Sequence, residues 1–76
     1  MKKELIKKGH TYADGKGGIR EVLDVGEKYT LYPSQQERDN LQYKVIAKKR
    51  GPNAVGDIRN STRVSFAVWA KQDVSI

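Results

Sequence analysis

The sequence predicts a mainly β fold, a single small barrel or sandwich of short antiparallel strands, and three observations carry that expectation. Glycine and proline punctuation is dense and evenly spaced, in "ADGKGG", "VGEK", "YPSQ" and "RGPNAVG". The runs between these breaks are short and of strand composition: "HTYA", "IREVLDV", "YTLY" and "LQYKVIAK". Short strands divided by turn signals suggest a barrel or sandwich rather than alternating strands and helices. Finally, 76 residues that are 37% hydrophobic fill one modest core, since a chain of this length buries only about 60% of its unfolded surface.

Taken in order, residues 1–8 form a basic arm carrying Lys2, Lys3, Lys7 and Lys8. The arm is not a signal peptide: Leu5 and Ile6 are its only adjacent apolar residues, where the apolar region of a leader needs about 7–15. No stretch reaches the ~20 apolar residues of a membrane span. The expectation is a cytoplasmic protein with no membrane partner.

Residues 9–61 supply the strands. "ADGKGG" offers Asp-Gly and Gly-Gly, which take the positive φ of tight turns at low steric cost. In "IREVLDV" Ile19, Leu23 and Val25 share one face and Val22 the other, so this strand either bends or is covered on both sides. "YTLY" reads as a further strand, and "PSQQERDN" as a polar excursion, long enough for one helical turn, before the next. "LQYKVIAK" alternates Leu41, Tyr43, Val45 and Ala47 with Gln42, Lys44 and Lys48, the period of a half-buried strand, with Ile46 breaking the polar side.

The tail "STRVSFAVWAKQDV" has two readings. As a strand, Val64, Phe66 and Val68 alternate with Ser65, Ala67 and Trp69. As a helix, Phe66, Trp69 and Ala70 fall on one face at i, i+3, i+4, capped by Thr62 or Ser61. Lys71 then sits at the negative end of the macrodipole, and Val64 and Val68 face outward. Periodicity leaves both open.

In order along the chain stand Gly9-His10-Thr11-Tyr12, "GGIREVLDV" at 17–25, "YKV" at 43–45, "GPNAVG" at 51–56 and "STRVSFAVWA" at 61–70. This succession resembles a family of short, largely uncharacterised phage- and prophage-encoded proteins. The resemblance implies a small SH3-like barrel of about five bent antiparallel strands with a C-terminal helix over residues 62–72. It also implies a small accessory protein acting in a phage or host cell. The acidic loop and paired-tryptophan shelf with which signalling SH3 domains grip proline-rich ligands are absent from the chain.

Catalytic and cofactor signatures are sparse. Cysteine is absent and histidine occurs once, too few soft ligands for a structural zinc; no cofactor or metal is expected. "GKGG" is not a phosphate loop, because Gly17 stands where the magnesium-binding Ser or Thr belongs. His10 is the one imidazole, and nucleophilic catalysis would need an activated hydroxyl and an orienting carboxylate beside it. Asp14, Glu21 and Asp24 are near in sequence only; Glu21 and Asp24, three apart on a strand, point to opposite faces and suit neutralisation of Arg20 and Lys28. The expectation is no enzyme and no small-molecule substrate. Tyr12, Tyr29, Tyr32, Tyr43, Phe66 and Trp69 serve either as core or, where exposed, as stacking surfaces for unpaired bases.

Charge is the remaining signal. Lys and Arg number 15 against nine Asp and Glu, a formal charge of +6 and a pI of about 9.7, which concentrates polyanions near the protein. A hairpin formed by the 41–49 strand and residues 57–61 would gather Lys48, Lys49, Arg50, Arg59 and Arg63 around one loop, opposed locally by Asp57. Such a patch suits nucleic-acid phosphates, with the Lys2/Lys3/Lys7/Lys8 arm as a second contact. Cations at strand ends also discourage edge-to-edge aggregation. The expected function is a noncatalytic module that contacts the nucleic-acid backbone; the alternative is an adaptor or inhibitor binding an acidic surface of a host or phage protein.

Overall fold

"IREVLDV" and "LQYKVIAK" do not lie in separate layers but pair with each other, and this ladder is the spine of the molecule. A computed structural model describes residues 1–49, 51 and 54–75. Its five strands are β1 (Thr11–Ala13), β2 (Ile19–Val25), β3 (Asn40–Ala47), β4 (Ile58–Thr62) and β5 (Gln72–Asp73). All pairs are antiparallel and form one sheet in the order β4-β3-β2-β1-β5. A single α-helix, α1 (Arg63–Trp69), lies between β4 and β5. The mainly β class with a C-terminal helix therefore holds, while β4 and β5 remain as edges and the described sheet does not close into a barrel.

The β2 pattern that put Val22 opposite Ile19, Leu23 and Val25 has a local cause. The β2–β3 register shifts between Ile19 and Arg20 and again between Val22 and Asp24. The first shift leaves Ile46 as the extra residue in β3 and the second leaves Leu23 in β2, and an extra residue re-aims the side chains of the strand that carries it. Val22 is consequently fully buried, and Val25, three residues on, packs against the same core. On β3 the alternation is direct: Leu41, Tyr43 and Val45 are buried, while Lys44 and Ile46 are exposed on the opposite face.

Helix α1 closes over the buried face. Thr62 ends β4 and caps the helix, its hydroxyl accepting a hydrogen bond from the Ser65 N–H at 3.1 Å. Phe66, Ala67 and Ala70 are buried, Val64 and Val68 point to solvent, and Lys71 Nζ donates to the Val68 carbonyl at 3.1 Å. The Phe66 ring meets Tyr12 edge-on at 5.6 Å and lies 5.5 Å from Tyr43 and 5.3 Å from Trp69. The helix is shorter than the 62–72 expectation. Ala70 is already extended, and the Lys71 and Val74 N–H groups donate to Ala13 and Thr11 across the free edge of β1. That edge offers β-ladder partners to the segment, which the sequence alone could not show.

"YTLY" is a correction: residues 29–32 are not a strand. They belong to the connection between β2 and β3, with Leu31 and Tyr32 exposed. Their polar groups are held by single side-chain bonds instead, the Tyr29 hydroxyl on Asp24, the Thr30 carbonyl by Asn60 of β4 and the Leu31 N–H by the Gln35 side chain. Asn40 fastens the far end of this connection. It is fully buried, accepts from Gln35 Nε2 at 2.9 Å and donates to the Glu37 and Glu27 carbonyls.

Residues 1–8 are packed rather than projecting. A 3₁₀ turn at Lys3–Leu5 delivers Ile6 into the core, where it is fully buried with Met1 beside the cluster. Tyr12 locks the turn down, its hydroxyl donating to the Leu5 carbonyl at 2.7 Å and accepting from the Lys7 N–H at 2.8 Å. Among the described residues no helix is long and apolar enough to cross a membrane.

Candidate functional site

The β2–β3 ladder sets Ile19 opposite Ala47, so the turn before β2 and the residues after β3 meet at one end of the sheet. The turn is built on Asp14, whose Oδ1 accepts hydrogen bonds from the N–H groups of Lys16 (2.7 Å) and Gly18 (2.9 Å). Chiefly through the Lys16 N–H, this holds the Asp14 carboxyl below its usual range. Gly17 sits at φ +92°, and a Cβ placed on it would lie 3.0 Å from the Lys49 Cβ. The turn thus rests directly on the end of β3, and only glycine fits both the dihedral and the contact.

Between turn and strand end opens a cleft of about 670 Å3. Its rim carries Lys16, Lys48 and Lys49, and Arg20 enters from β2; Val45, Ala47 and Trp69 supply apolar lining. The Arg20 guanidinium carbon lies 4.2 Å from the Trp69 ring centroid and 4.7 Å from that of Tyr43. Cation–π contact holds the guanidinium on the aromatic surface. Asp14 is the acidic residue of the cleft lining, and its carboxylate is engaged by the turn.

Elsewhere the charge balance is mixed: among the described residues Lys2, Lys7, Lys44 and Lys71 have no carboxylate within 4.0 Å, but they lie outside the cleft lining. Lys3, Lys8, Lys28, Arg38, Arg59 and Arg63 each lie within 4.0 Å of a carboxylate. Among the described residues, none of Lys16, Arg20, Lys48 and Lys49 does.

Of the five cations expected in one patch, Lys48 and Lys49 line this cleft, Lys48 Nζ also donating to the Gly51 carbonyl at 2.8 Å. Arg50 lies outside the described residues. Arg59 stands opposite Tyr43 and pairs with Asp57 at 3.4 Å. The Asp57 carboxyl is lowered, first by the Ala54 N–H and then by Arg59. Arg63 does not join the patch. A hairpin gathers residues equidistant from its turn, and Arg63 follows the Asn40–Thr62 pair at the opposite end of β3, about 25 Å from Lys48 at ~3.3 Å per residue. There it is largely covered, bound to Asp39 Oδ1 at 2.9 Å and to the Ile6 carbonyl at 2.7 Å. In the arm, Lys3 pairs with the same Asp39 and Lys8 with Asp24.

Lys16 and Arg20 were not assigned to the site from sequence. A usable signal existed: pairing "IREVLDV" antiparallel with "LQYKVIAK" carries "GKGG" to "KK" automatically. The other residues weighed for chemistry fall elsewhere. His10 stacks near Tyr12 and lies 2.8 Å from Asp73, a partner 63 residues away, rather than beside Asp14, Glu21 or Asp24. The Asp73 carboxyl is lowered to about 2, first by His10 and then by the N–H and hydroxyl of Ser75. The Ser75 hydroxyl is itself bonded to the Thr11 backbone. Asp24 binds Tyr29, Lys8 and Lys28, whereas Arg20 goes to the aromatic rings. The chain matches no protein-family profile, no curated protein and no solved structure.

Proposed function

We propose that the protein is a noncatalytic accessory binding module, of phage or prophage type and cytoplasmic, that holds nucleic-acid phosphates at the Lys16/Arg20/Lys48/Lys49 cleft. One observation carries the reading: four cations converge on one concavity with no carboxylate within 4.0 Å among the described residues, whereas Lys2, Lys7, Lys44 and Lys71, equally without one, lie outside that lining. Unpaired like charges repel, at a cost that a phosphate binding among them would relieve. The phage-type reading is supported by the order of sequence motifs. The same reading takes the sheet as an opened SH3-like barrel. Supporting it are the two irregularities of the β2–β3 ladder, one at Leu23 of β2 and one at Ile46 of β3, and a last strand that returns past the helix to pair with the first.

The test is the salt dependence of binding. Replacing Lys48 and Lys49 by Ala should make the plot of log affinity against log salt shallower by about 1.4–1.8, at ~0.7–0.9 per phosphate. Replacing Lys2 and Lys7 should leave that slope unchanged. Absence of measurable binding by the wild type at low salt, to single strands and duplex alike, would remove the reading. The adaptor alternative has its own support in Leu31, Tyr32, Ile46, Val55 and Ile58, all large, apolar and exposed. Retention of an acidic protein partner from a nuclease-treated extract would bring it forward.

A further inference from the structure

We infer that the cleft receives an unpaired nucleotide of single-stranded nucleic acid, with the base on the Arg20–Trp69 surface and the phosphate among Lys16, Lys48 and Lys49. This rests on the nucleic-acid reading above and deepens it. Its starting point is the mixed chemistry of the lining. Duplex phosphate contacts need only cations and other hydrogen-bond donors to fix the protein's position, and an apolar lining adds nothing to them. Here the cations instead converge on a concavity of about 670 Å3 whose interior includes Val45, Ala47 and Trp69. That volume is in the ~300–1,000 Å3 range of sites that enclose small ligands, and a base with its flat apolar faces is the part of a nucleic acid that gains from such a lining.

Arg20 supplies the second argument. Its guanidinium is fixed against two rings, Trp69 at 4.2 Å and Tyr43 at 4.7 Å, so its plane is held before any ligand arrives. Unpaired bases stack on aromatic rings and on guanidinium planes alike. No carboxylate among the described residues lies within 4.0 Å of Arg20, so its N–H groups retain donor capacity for base edge or phosphate. The rim is equally prepared: Asp14 fixes the turn through the Lys16 and Gly18 N–H groups, and Gly17 rests on Lys49. A paired base inside a duplex cannot enter such a cleft. Selectivity for single strands follows, with little sequence preference, because every base has a stacking face.

Trp69 is the chain's one tryptophan, which makes its emission a direct report from the cleft. Short single-stranded DNA and RNA oligonucleotides, the same strands with abasic residues, and a duplex of equal charge should be titrated at low salt. The expected result is saturable quenching of Trp69 by single strands of either sugar, with about tenfold or greater preference over abasic strand and duplex, as one stacked base provides. Arg20→Lys, which keeps the charge and loses the plane, should bring the single-strand and abasic affinities together while leaving the salt slope in place. Equal binding of single strand, abasic strand and duplex without a change in Trp69 emission would overturn the inference and leave the phosphate-binding reading standing. No binding by any of them would overturn both.

Discussion

The two ends of the β2–β3 ladder handle positive charge in opposite ways. At the end where β3 begins, Arg63 and Lys3 share Asp39, Arg38 meets Glu27, and buried Asn40 ties the long connection to the sheet. At the end where β3 finishes, Lys16, Arg20, Lys48 and Lys49 face one cleft, and the nearby Asp14 is occupied by backbone N–H groups. The first arrangement ties cations into the fold. The second leaves them poised above an apolar floor. Net charge reports neither; what matters is which cations the fold has already neutralised.

The largest effect that would sharpen this contrast is expected at Arg63. It is three-quarters covered and bridges Asp39 to the Ile6 carbonyl. Arg63→Ala should therefore destabilise by about 2 kcal/mol, the scale of hydrogen bonds to charged groups, seen as a lower urea midpoint with nucleic-acid affinity of the folded fraction unchanged. A loss no larger than the ~0.5 kcal/mol typical of surface changes would mean the two ends do not differ as described.

Gly17→Ala should come next. The substituent meets Lys49 at 3.0 Å, in a left-handed backbone conformation that disfavours L residues. A destabilisation of about 1 kcal/mol is expected, together with weaker single-strand binding because the rim must move. Unchanged stability and affinity would show that the close approach does not shape the cleft.

The smallest effect is at β5. The Asp73 carboxyl is lowered to about 2 by His10 and Ser75. A depressed carboxylate contributes stability that is present above the unfolded value of about 4 and lost as pH falls through the folded value. Hydrogen-exchange protection of the Lys71 and Val74 amides, which donate across the β1–β5 edge, should therefore drop between about pH 4 and pH 2. Asp73→Asn should flatten that dependence; an identical profile in the variant would assign the loss to another group. Because Asp73 is more than one-third exposed, solvent screening keeps the effect modest.

Local signals made much of the fold legible. The alternation of β3 follows from side-chain chemistry within a few residues, and so do a Thr62 or Ser61 cap, outward Val64 and Val68 and Lys71 at the helix end once the tail is a helix, a choice its periodicity leaves open. "YTLY" misled because its β-rich composition met no free ladder and no covered face, so its residues took isolated partners instead, Asp24 on β2, Asn60 on β4 and Gln35 in the connection. Gln72 and Asp73 have no strand composition and became β5 because β1 offered an open edge. The site was half visible: Lys48 and Lys49 stand out as a run, but placing Arg59 and Arg63 beside them took the hairpin without its register, which sets Arg59 opposite Tyr43 and Arg63 beyond the Asn40–Thr62 pair.

What residues 1–76 determine by themselves is the inventory and its local geometry: turns where glycine takes positive φ, strands where apolar residues alternate, a tail equipped to cap a helix, and an excess of cations. Those properties depend on contacts within a turn or two of chain, which composition and spacing encode. Tertiary structure decided which cations meet carboxylates and which do not. Ladder register carried "GKGG" to Lys49, set Arg20 on Trp69, and placed Asp39 beside Arg63 at the far end of the sheet. Pairing between residues tens of positions apart has no local signature, because it is selected by burial of the whole sheet face at once.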